Sequence, residues 1–217
     1  FNQDQSPIPN EEGWQIQVVE HRGETGLACD MAVDENGYPH ICYFRHAYRQ
    51  DGMNYSLYYS KWDGVQWDHD FVDLKSDIET DFAYTSIALD SSGFPHISFV
   101  SKVGETDSQL HYAWWDGNEW ILTDVGAPGY VGPRTSMDLD SQNRPHICYE
   151  EPNANNLMYT YWNGSTWITE TIEDTNMKGI YPSLKLDSSD TPHVSFHDDG
   201  PDDVIYASKN ATWQVEL

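Results

Sequence analysis

The chain has 217 residues and carries 11 Lys and Arg against 36 Asp and Glu, which gives a formal net charge of −25 at pH 7. A surface this acidic excludes DNA and RNA as partners, because phosphate contacts need Lys and Arg, and it argues against docking on anionic membranes. Aromatic residues make up 14% of the chain, which is far more than a disordered tail contains. No apolar run is long enough for a transmembrane segment, and no signal-peptide pattern is present.

The first predicted element is a strand over residues 14–20, where Trp14 begins the alternating run WQIQVVE. Four longer segments follow, and they resemble one another. Each contains a hairpin whose second strand begins with a Pro-His pair, a second hairpin, a closing Trp and a short alternating run. The turn of the second hairpin reads W-D-G in two segments, W-N-G in the third, and N-A, one residue shorter, in the fourth. The four segments cover residues 24–73, 83–126, 134–173 and 181–217.

The repeated segments are predicted to be strands rather than helices. SIALD and PHISF alternate apolar and polar residues on either side of a turn, and no run of ten or more residues shows helical periodicity. Four short antiparallel strands per repeat of this length are typical of a β-propeller blade. We therefore predict an all-β chain, a β-propeller with four complete four-stranded antiparallel blades and one extra N-terminal outer strand.

The patterns L-D-S-x-G-x-P-H-I-S-Y and L-x-Y-x-x-W-D-G-x-x-W resemble the repeats of bacterial and archaeal extracellular propellers, over residues 14–217. The second turn is placed like the Asp-box of sialidase-type propellers, although the S-x-D-x-G-x-T-W signature is absent. The resemblance implies a propeller with an extracellular or cell-surface location. It implies no single function, because such repeats occur in adhesins, binding modules and enzymes.

The strand at 14–20 raises the question of how the propeller closes, because it lacks three partner strands. Residues 1–217 are predicted to form a single propeller domain or a fragment of one. The chain is then part of a protein with about five to eight blades, or a four-bladed ring with a redundant strand. The third alternative is self-association, in which the strand at 14–20 pairs with a neighbouring subunit.

The Pro-His pairs and closing tryptophans are interpreted as structural, since they recur in register. A metal site built from the four histidines is disfavoured, because equivalent positions on different blades are held apart by the ring. The residues in this structural set are His40, His96, His146, His193, Trp14, Trp67, Trp120, Trp167 and Trp213. The tryptophans before the second turn, Trp62, Trp115 and Trp162, keep two interpretations, core packing and stacking on a sugar.

A ligand site is expected where the repeat is broken, in the loops between blades and in the irregular loops between the second and third strands, which include residues 45–56 and 101–109. Four of the five arginines fall in these loops, and the Arg fork binds carboxylates well. The predicted site for an acidic sugar consists of Arg22, Arg45, His46, Arg49, Tyr130, Arg134, Glu150 and His197.

The acidic segment HDDGPDD at 197–203 is a candidate calcium loop, and a solvated loop is the alternative. Its oxygen ligands are Asp198, Asp199, Asp202 and Asp203. No other cofactor is predicted. Cys29 and Cys42 flank one hairpin, which leaves a disulfide open in an oxidising compartment.

Three sequons, at Asn54, Asn163 and Asn210, offer glycosylation sites in a secreted protein. The chain is therefore interpreted as an extracellular or cell-surface module that binds glycan or protein partners or takes part in an assembly.

Two alternatives remain. One is a carbohydrate-active enzyme, a sialidase-like hydrolase or a polysaccharide lyase, in which the arginines converge in a pocket beside a carboxylate or Tyr. The other is a structural subunit of a surface filament or layer that assembles by edge-strand exchange. No Ser/His/Asp order, P-loop or paired-carboxylate motif is present, so no catalytic residue is predicted.

Overall fold

The computed structural model describes residues 8–9, 13, 15–21, 24–49, 52–75, 84–103, 107–129, 131–151, 156–173, 179–198 and 200–216. Within these ranges the regular structure consists of strands only, and no helix that could cross a membrane is found among them. The all-β fold class is therefore confirmed. The strands form four four-stranded antiparallel sheets, which we call blades 1 to 4, and one two-stranded sheet.

The strands of each blade follow chain order across the sheet, so that all four blades have the same topology. The two-stranded sheet pairs β1 (Ile8–Pro9) with β2 (Gln15–Ile16). Blade 1 contains β3 (Glu24–Val33), β4 (Pro39–Arg49), β5 (Gly52–Trp62) and β6 (Trp67–Lys75). Blade 2 contains β7 (Thr85–Leu89), β8 (Pro95–Val103), β9 (Asp107–Trp115) and β10 (Trp120–Gly129). Blade 3 contains β11 (Thr135–Leu139), β12 (Pro145–Glu151), β13 (Asn156–Trp162) and β14 (Trp167–Glu173). Blade 4 contains β15 (Gly179–Leu186), β16 (Pro192–Asp198), β17 (Asp203–Lys209) and β18 (Trp213–Glu216).

The first hairpin turn of each blade is built around an aspartate. In blade 1, Oδ1 of Asp34 accepts hydrogen bonds from the backbone N–H groups of Asn36 and Tyr38, at 3.0 and 2.9 Å. Asp90, Asp140 and Asp187 cap their turns in the same way. The fourth turn residue has positive φ in all four blades, as its residue types predict. These residues are Gly37, Gly93, Asn143 and Asp190.

The structure corrects the prediction that residues 45–56 and 101–109 are irregular loops. β4 and β5 stay in register as far as the pair Arg49↔Gly52, and β8 and β9 as far as Val103↔Asp107. Extending these hairpins pairs backbone groups that a loop would leave to water. Arg45, His46 and Arg49 therefore lie on a strand.

The predicted outer strand at 14–20 is short in the structure. Only Gln15–Ile16 is a strand, and it pairs antiparallel with Ile8–Pro9 of the same chain, while residues 17–20 form no strand. Trp14 lies outside the described residues. This pairing occupies one edge of the short strand, and strand exchange with a neighbouring subunit stays a prediction.

The core lies between blades rather than within any one of them. Three apolar clusters join blade 1 to blade 2, blade 2 to blade 3, and blade 3 to blade 4. At each junction the first strand of one blade inserts an apolar side chain into a cluster of the preceding blade. These side chains are Ile87, Met137 and Leu184, and all three are buried. Burial of this kind is the main favourable term in folding, so each blade is stabilised mainly by its neighbours.

The disulfide left open between Cys29 and Cys42 is not formed, and both cysteines are free. The register explains why, because a bulge between Leu27 and Asp30 contains Cys29 and places Asp30 opposite Cys42. The Cys42 thiol instead donates a hydrogen bond to Oγ1 of Thr85 in blade 2, at 3.1 Å. Burial raises the pKa of Cys42 to about 12, so this thiol stays protonated.

The close junction of blades 3 and 4 leads to a first prediction. A Cβ at Gly179 would lie 2.6 Å from Cβ of Leu157 and 3.4 Å from Cδ2 of Phe196, so Gly179→Ala overpacks the core. We expect the free energy of unfolding to fall by about 1–3 kcal/mol in urea denaturation. Gly129→Ala is the matched control, since nothing lies within 4 Å of its added Cβ. Equal unfolding free energies for the two variants would contradict this account.

Candidate functional site

Every blade contains a unit of one aspartate, one histidine and one tyrosine. Nδ1 of His40 lies 2.5 Å from the Tyr59 hydroxyl, and its Nε2 lies 3.6 Å from Oδ2 of Asp34. The same unit recurs at His96 with Tyr112 and Asp90, at His146 with Tyr159 and Asp140, and at His193 with Tyr206 and Asp187. Each unit lies within one blade. Across the described residues, no group of three or more His, Cys, Asp or Glu side chains is arranged to hold a metal ion.

Burial decides which group carries the proton in these units. Burial lowers the pKa of His40, His96 and His146, so these rings are neutral. Burial also raises the pKa of Tyr59 and Tyr112, which keeps their hydroxyl protons. The tyrosine hydroxyl therefore donates to Nδ1, and the Nε2–H group faces the aspartate.

The tyrosine of each unit is also the contact with the next blade. Tyr59 packs edge-to-face on Trp120, Tyr112 on Trp167 and Tyr159 on Trp213, with ring centroids 5.3, 5.6 and 5.1 Å apart. The histidine holds the hydroxyl end of the ring, and the closing tryptophan of the next blade covers its edge.

Part of the predicted site for an acidic sugar comes together around Arg134. Its Nη1 lies 3.3 Å from Oε1 of the buried Glu150, and its Cζ lies 3.7 Å from the ring centroid of Tyr181 and 5.4 Å from that of Tyr84. The backbone N–H of Tyr181 donates to Glu150 at 2.9 Å. Burial raises the pKa of Glu150, and the contacts with Tyr181 and Arg134 oppose that rise. The Arg134 charge is therefore largely engaged by Glu150.

Of the other predicted ligand residues, one contacts this cluster, one lies on blade 1, and the side chains of the remaining four are not described. His197 reaches the cluster through its ring contact with Tyr181, at 6.4 Å between centroids. Arg45 lies on blade 1, where its guanidinium Cζ is 5.4 Å from the Tyr58 ring centroid. Arg22 and Tyr130 lie outside the described residues, as do the side chains of His46 and Arg49. No contact between Arg45 and the Arg134 cluster is found among the side chains that are described.

The acidic loop at 197–203 is partly described, since Asp199 lies outside. Asp198 is buried, and its carboxylate accepts a hydrogen bond from the Gly200 N–H at 3.0 Å. Oδ1 of Asp202 lies 3.6 Å from Nε2 of His197. Asp198 and Asp202 are thus engaged within the loop, whereas Asp203 is exposed at the start of β17. Calcium binding by this loop stays a prediction.

A cavity of about 380 Å³ opens between blades 2 and 3, on the side of the hairpin turns. Trp114 and Tyr112 of blade 2 stack on one another at 5.2 Å along one wall, and Trp162 and Trp167 of blade 3 pack at 5.8 Å along the other. Arg144 provides a charged group at this cavity.

Asp140 holds Arg144 in place, with Nε of the guanidinium 2.5 Å from Oδ2 of the buried carboxylate. Burial disfavours the Asp140 charge, but hydrogen bonds from the Arg144 backbone and side chain outweigh it, so that the Asp140 pKa is lowered. The pair stays ionised, and the guanidinium has N–H groups left for a ligand beyond the one that Asp140 accepts.

A break in the repeat accounts for the room in this cavity. The residue before the Pro-His pair is Tyr38 in blade 1 and Phe94 in blade 2, and each lies against the glycine of the second turn. A Cβ at Gly64 would lie 2.8 Å from the Tyr38 hydroxyl oxygen, and one at Gly117 would lie 3.3 Å from Cζ of Phe94. Arg144 stands at this position in blade 3, and a Cβ added at Gly164 would have nothing within 4 Å.

A second cavity, of about 330 Å³, lies at the equivalent place between blades 3 and 4. Thr191 takes the position of Arg144 there, and Lys209 takes that of Trp162. Lys209 forms an ion pair with Glu170, so the wall on blade 4 is charged, whereas Tyr159 and Tyr161 line the wall on blade 3. Asn210 of the third sequon lines this cavity, and Asn163 lies in an exposed turn.

Trp114, Arg144 and Tyr181 are functional candidates that the sequence patterns did not predict. Arg144 could have been identified from the sequence, because it replaces an aromatic residue of the first two repeats. No sequence pattern identifies Tyr181, because its contact with Arg134 depends on a φ of 56°, which few residues other than glycine adopt.

No protein-family model matches the sequence, and no curated protein matches it significantly. Solved structures do resemble it. AofleA from Arthrobotrys oligospora has 14% identity and a TM-score of 0.61, over 88% of this chain and 56% of that one. A protein of unknown function from Dyadobacter fermentans has 12% identity and a TM-score of 0.58, over 88% and 68%. The polysaccharide lyase Uly1 has 9% identity and a TM-score of 0.53, over 87% and 59%.

These likenesses confirm the β-propeller fold, and identities this low show the fold alone. This chain spans between 56% and 68% of the length of these three structures.

The buried histidines lead to a second prediction. Because burial lowers the pKa of His40, His96 and His146, the folded chain binds fewer protons than the unfolded chain once the pH falls through about 6.5. We therefore expect the free energy of unfolding to decrease between about pH 7 and pH 5. His96→Gln removes one of these groups and should flatten that dependence in urea titrations. His193→Gln, at the partly exposed equivalent site, is the control. A steeper dependence for His96→Gln would contradict the prediction.

Proposed function

We propose that this chain is an extracellular glycan-binding propeller module whose ligand site is the cavity between blades 2 and 3. The observation that carries the proposal is the pair of aromatic walls formed by Trp114 and Trp162, with Arg144 beside them. A volume of about 380 Å³ falls within the usual range for small-molecule sites, about 300–1,000 Å³. Aromatic faces bind the apolar C–H faces of a sugar ring, and the guanidinium donates hydrogen bonds to hydroxyl oxygens.

The charge of the chain favours a neutral sugar. The net charge of −25 repels anionic polysaccharides within about one Debye length, beyond which salt screens the repulsion. Arg144 is also neutralised in part by Asp140. The proposed ligand is therefore a neutral monosaccharide unit at the end or side of a glycan, and the sequons at Asn163 and Asn210 agree with an extracellular location.

A polysaccharide-active enzyme is the second candidate, and the cluster of Arg134, Glu150 and Tyr181 favours it, together with the fold shared with the polysaccharide lyase Uly1. Two observations weigh against it. Glu150 already binds Arg134 and the Tyr181 N–H. The cavity between blades 2 and 3 has no carboxylate among its described lining residues, whereas glycoside hydrolysis ordinarily needs two.

A glycan array followed by titration calorimetry tests the binding proposal. We expect a neutral glycan to bind, and Trp162→Ala to weaken its binding by at least about tenfold because one stacking wall is lost. Trp115→Ala is the matched control. Trp115 holds the equivalent position in blade 2, packs on Trp120 at 5.8 Å and lies outside the cavity.

Two results would contradict the proposal. One is the absence of any glycan ligand on the array, and the other is an equal loss of binding in Trp115→Ala and Trp162→Ala. New reducing ends or unsaturated products from a polysaccharide would support the enzyme instead. Loss of that activity in Arg134→Gln, with Arg45→Gln unchanged, would locate it at the Arg134 cluster.

A further inference from the structure

The three junctions between blades use the same positions each time. At one repeat position in the first strand of each blade, the side chain accepts a hydrogen bond from the backbone of the next blade. Asp30 accepts from the Ile87 N–H, Ser86 from the Met137 N–H and Ser136 from the Leu184 N–H, at 2.9, 3.1 and 3.0 Å. We call the side of a blade that provides these acceptors its outgoing face, and the side that provides the N–H groups its incoming face.

The outgoing face of a blade also contributes an apolar residue and a tyrosine from its third strand. The apolar residue is a leucine in the first three blades, and its exposed fraction is 1% for Leu57, 1% for Leu110 and 0% for Leu157. The next blade covers it in each case, because the leucine belongs to the apolar cluster at that junction. The outgoing face is thus a surface that becomes buried when another blade packs on it.

Blade 4 has the same outgoing face, and its residues are exposed. Val204 stands at the position of these leucines and is 80% exposed, and Tyr206 is 38% exposed. Ser183 occupies the position of Asp30, Ser86 and Ser136, and it is also exposed. The equivalent residues are buried at all three junctions between blades. The exposure of Val204, Tyr206 and Ser183 therefore departs from the burial seen in the other repeats.

Blade 1 has the complementary incoming face, and its residues are exposed as well. Met31 stands at the position of Ile87, Met137 and Leu184 and is 54% exposed, whereas these three are almost completely buried. Val33, two residues further along β3, is 55% exposed. The Met31 N–H bonds to its own neighbour, Oδ1 of Asp30, at 2.9 Å, instead of to a preceding blade.

We propose that the outgoing face of blade 4 binds the incoming face of blade 1 of a second copy of this chain. The junction continues the established packing between blades, since Val204 and Tyr206 would cover Met31 and Val33, and Ser183 would accept from the Met31 N–H. Because the two faces differ, the association is head-to-tail, and it either closes into a ring or grows. The net charge of −25 opposes it, so added salt should strengthen it.

Sedimentation velocity over a wide concentration range tests the proposal, with a reducing agent present because Cys29 is exposed. We expect the chain to self-associate, and to do so more strongly as the salt concentration rises. Met31→Asp and Val204→Asp each place an unpaired carboxylate in the junction and should weaken the association by at least about a hundredfold. Both side chains are exposed in the single chain, so at concentrations at which the unaltered chain is monomeric both variants should keep its unfolding midpoint.

A mixture of the two variants gives the sharpest result. Met31→Asp keeps an intact outgoing face and Val204→Asp an intact incoming face, so an equimolar mixture should form dimers that grow no further. An association between two copies of one identical face would not be restored by mixing.

The matched control is Val18→Asp, in the segment at 14–20, whose side chain is exposed to a similar extent. It should leave the association unchanged. The proposal is overturned if the chain stays monomeric at high concentration and high salt. It is also overturned if Val18→Asp abolishes association while Met31→Asp does not, which would assign self-association to the N-terminal segment.

Discussion

The structure depends on the contact that each blade makes with the next. A single four-stranded sheet of this sequence has two apolar sides and buries neither by itself. The Tyr59–Trp120 contact and its two equivalents bring the third strand of one blade against the fourth strand of the following blade. Ile87, Met137 and Leu184 close the same junctions from the inner strand. Stability is therefore shared between neighbours, as in other repeat proteins.

The aspartate, histidine and tyrosine of each blade serve this contact. Asp34 shapes the first turn and faces His40, and His40 accepts a hydrogen bond from Tyr59. The tyrosine ring is thus held at one end by a hydrogen bond and at its edge by an indole. A neutral histidine is needed, because only an unprotonated Nδ1 can accept from the hydroxyl. The turn, the buried polar pair and the packing between blades are consequently parts of one arrangement.

Local patterns were enough to predict the strands and the turns. Alternation in SIALD and PHISF sets which side chains face the neighbouring blades, and turn residues such as Asn143 reveal where the chain reverses. The extended hairpin around residues 45–56 was missed, because its polar residues look like a loop and only pairing across the strands makes them regular. The Arg134 cluster was predicted in part, through Arg134, Glu150 and His197. Tyr181 was not, since its position depends on a bulge in β15 that no local pattern reveals.

The residue before each Pro-His pair affects how much space is left beside the second turn. Tyr38 and Phe94 fill the space beside the second turn, whereas Arg144 and Thr191 leave it open. The four blades share one strand order although this residue is Tyr38, Phe94, Arg144 or Thr191, so the fold accepts different side chains at this position. If each open cavity holds one sugar unit, as proposed above, the valency of the chain toward a repeating polymer depends on this one side chain in each blade. Because avidity rises steeply with valency, single substitutions at this position provide a short evolutionary route from weak to strong attachment.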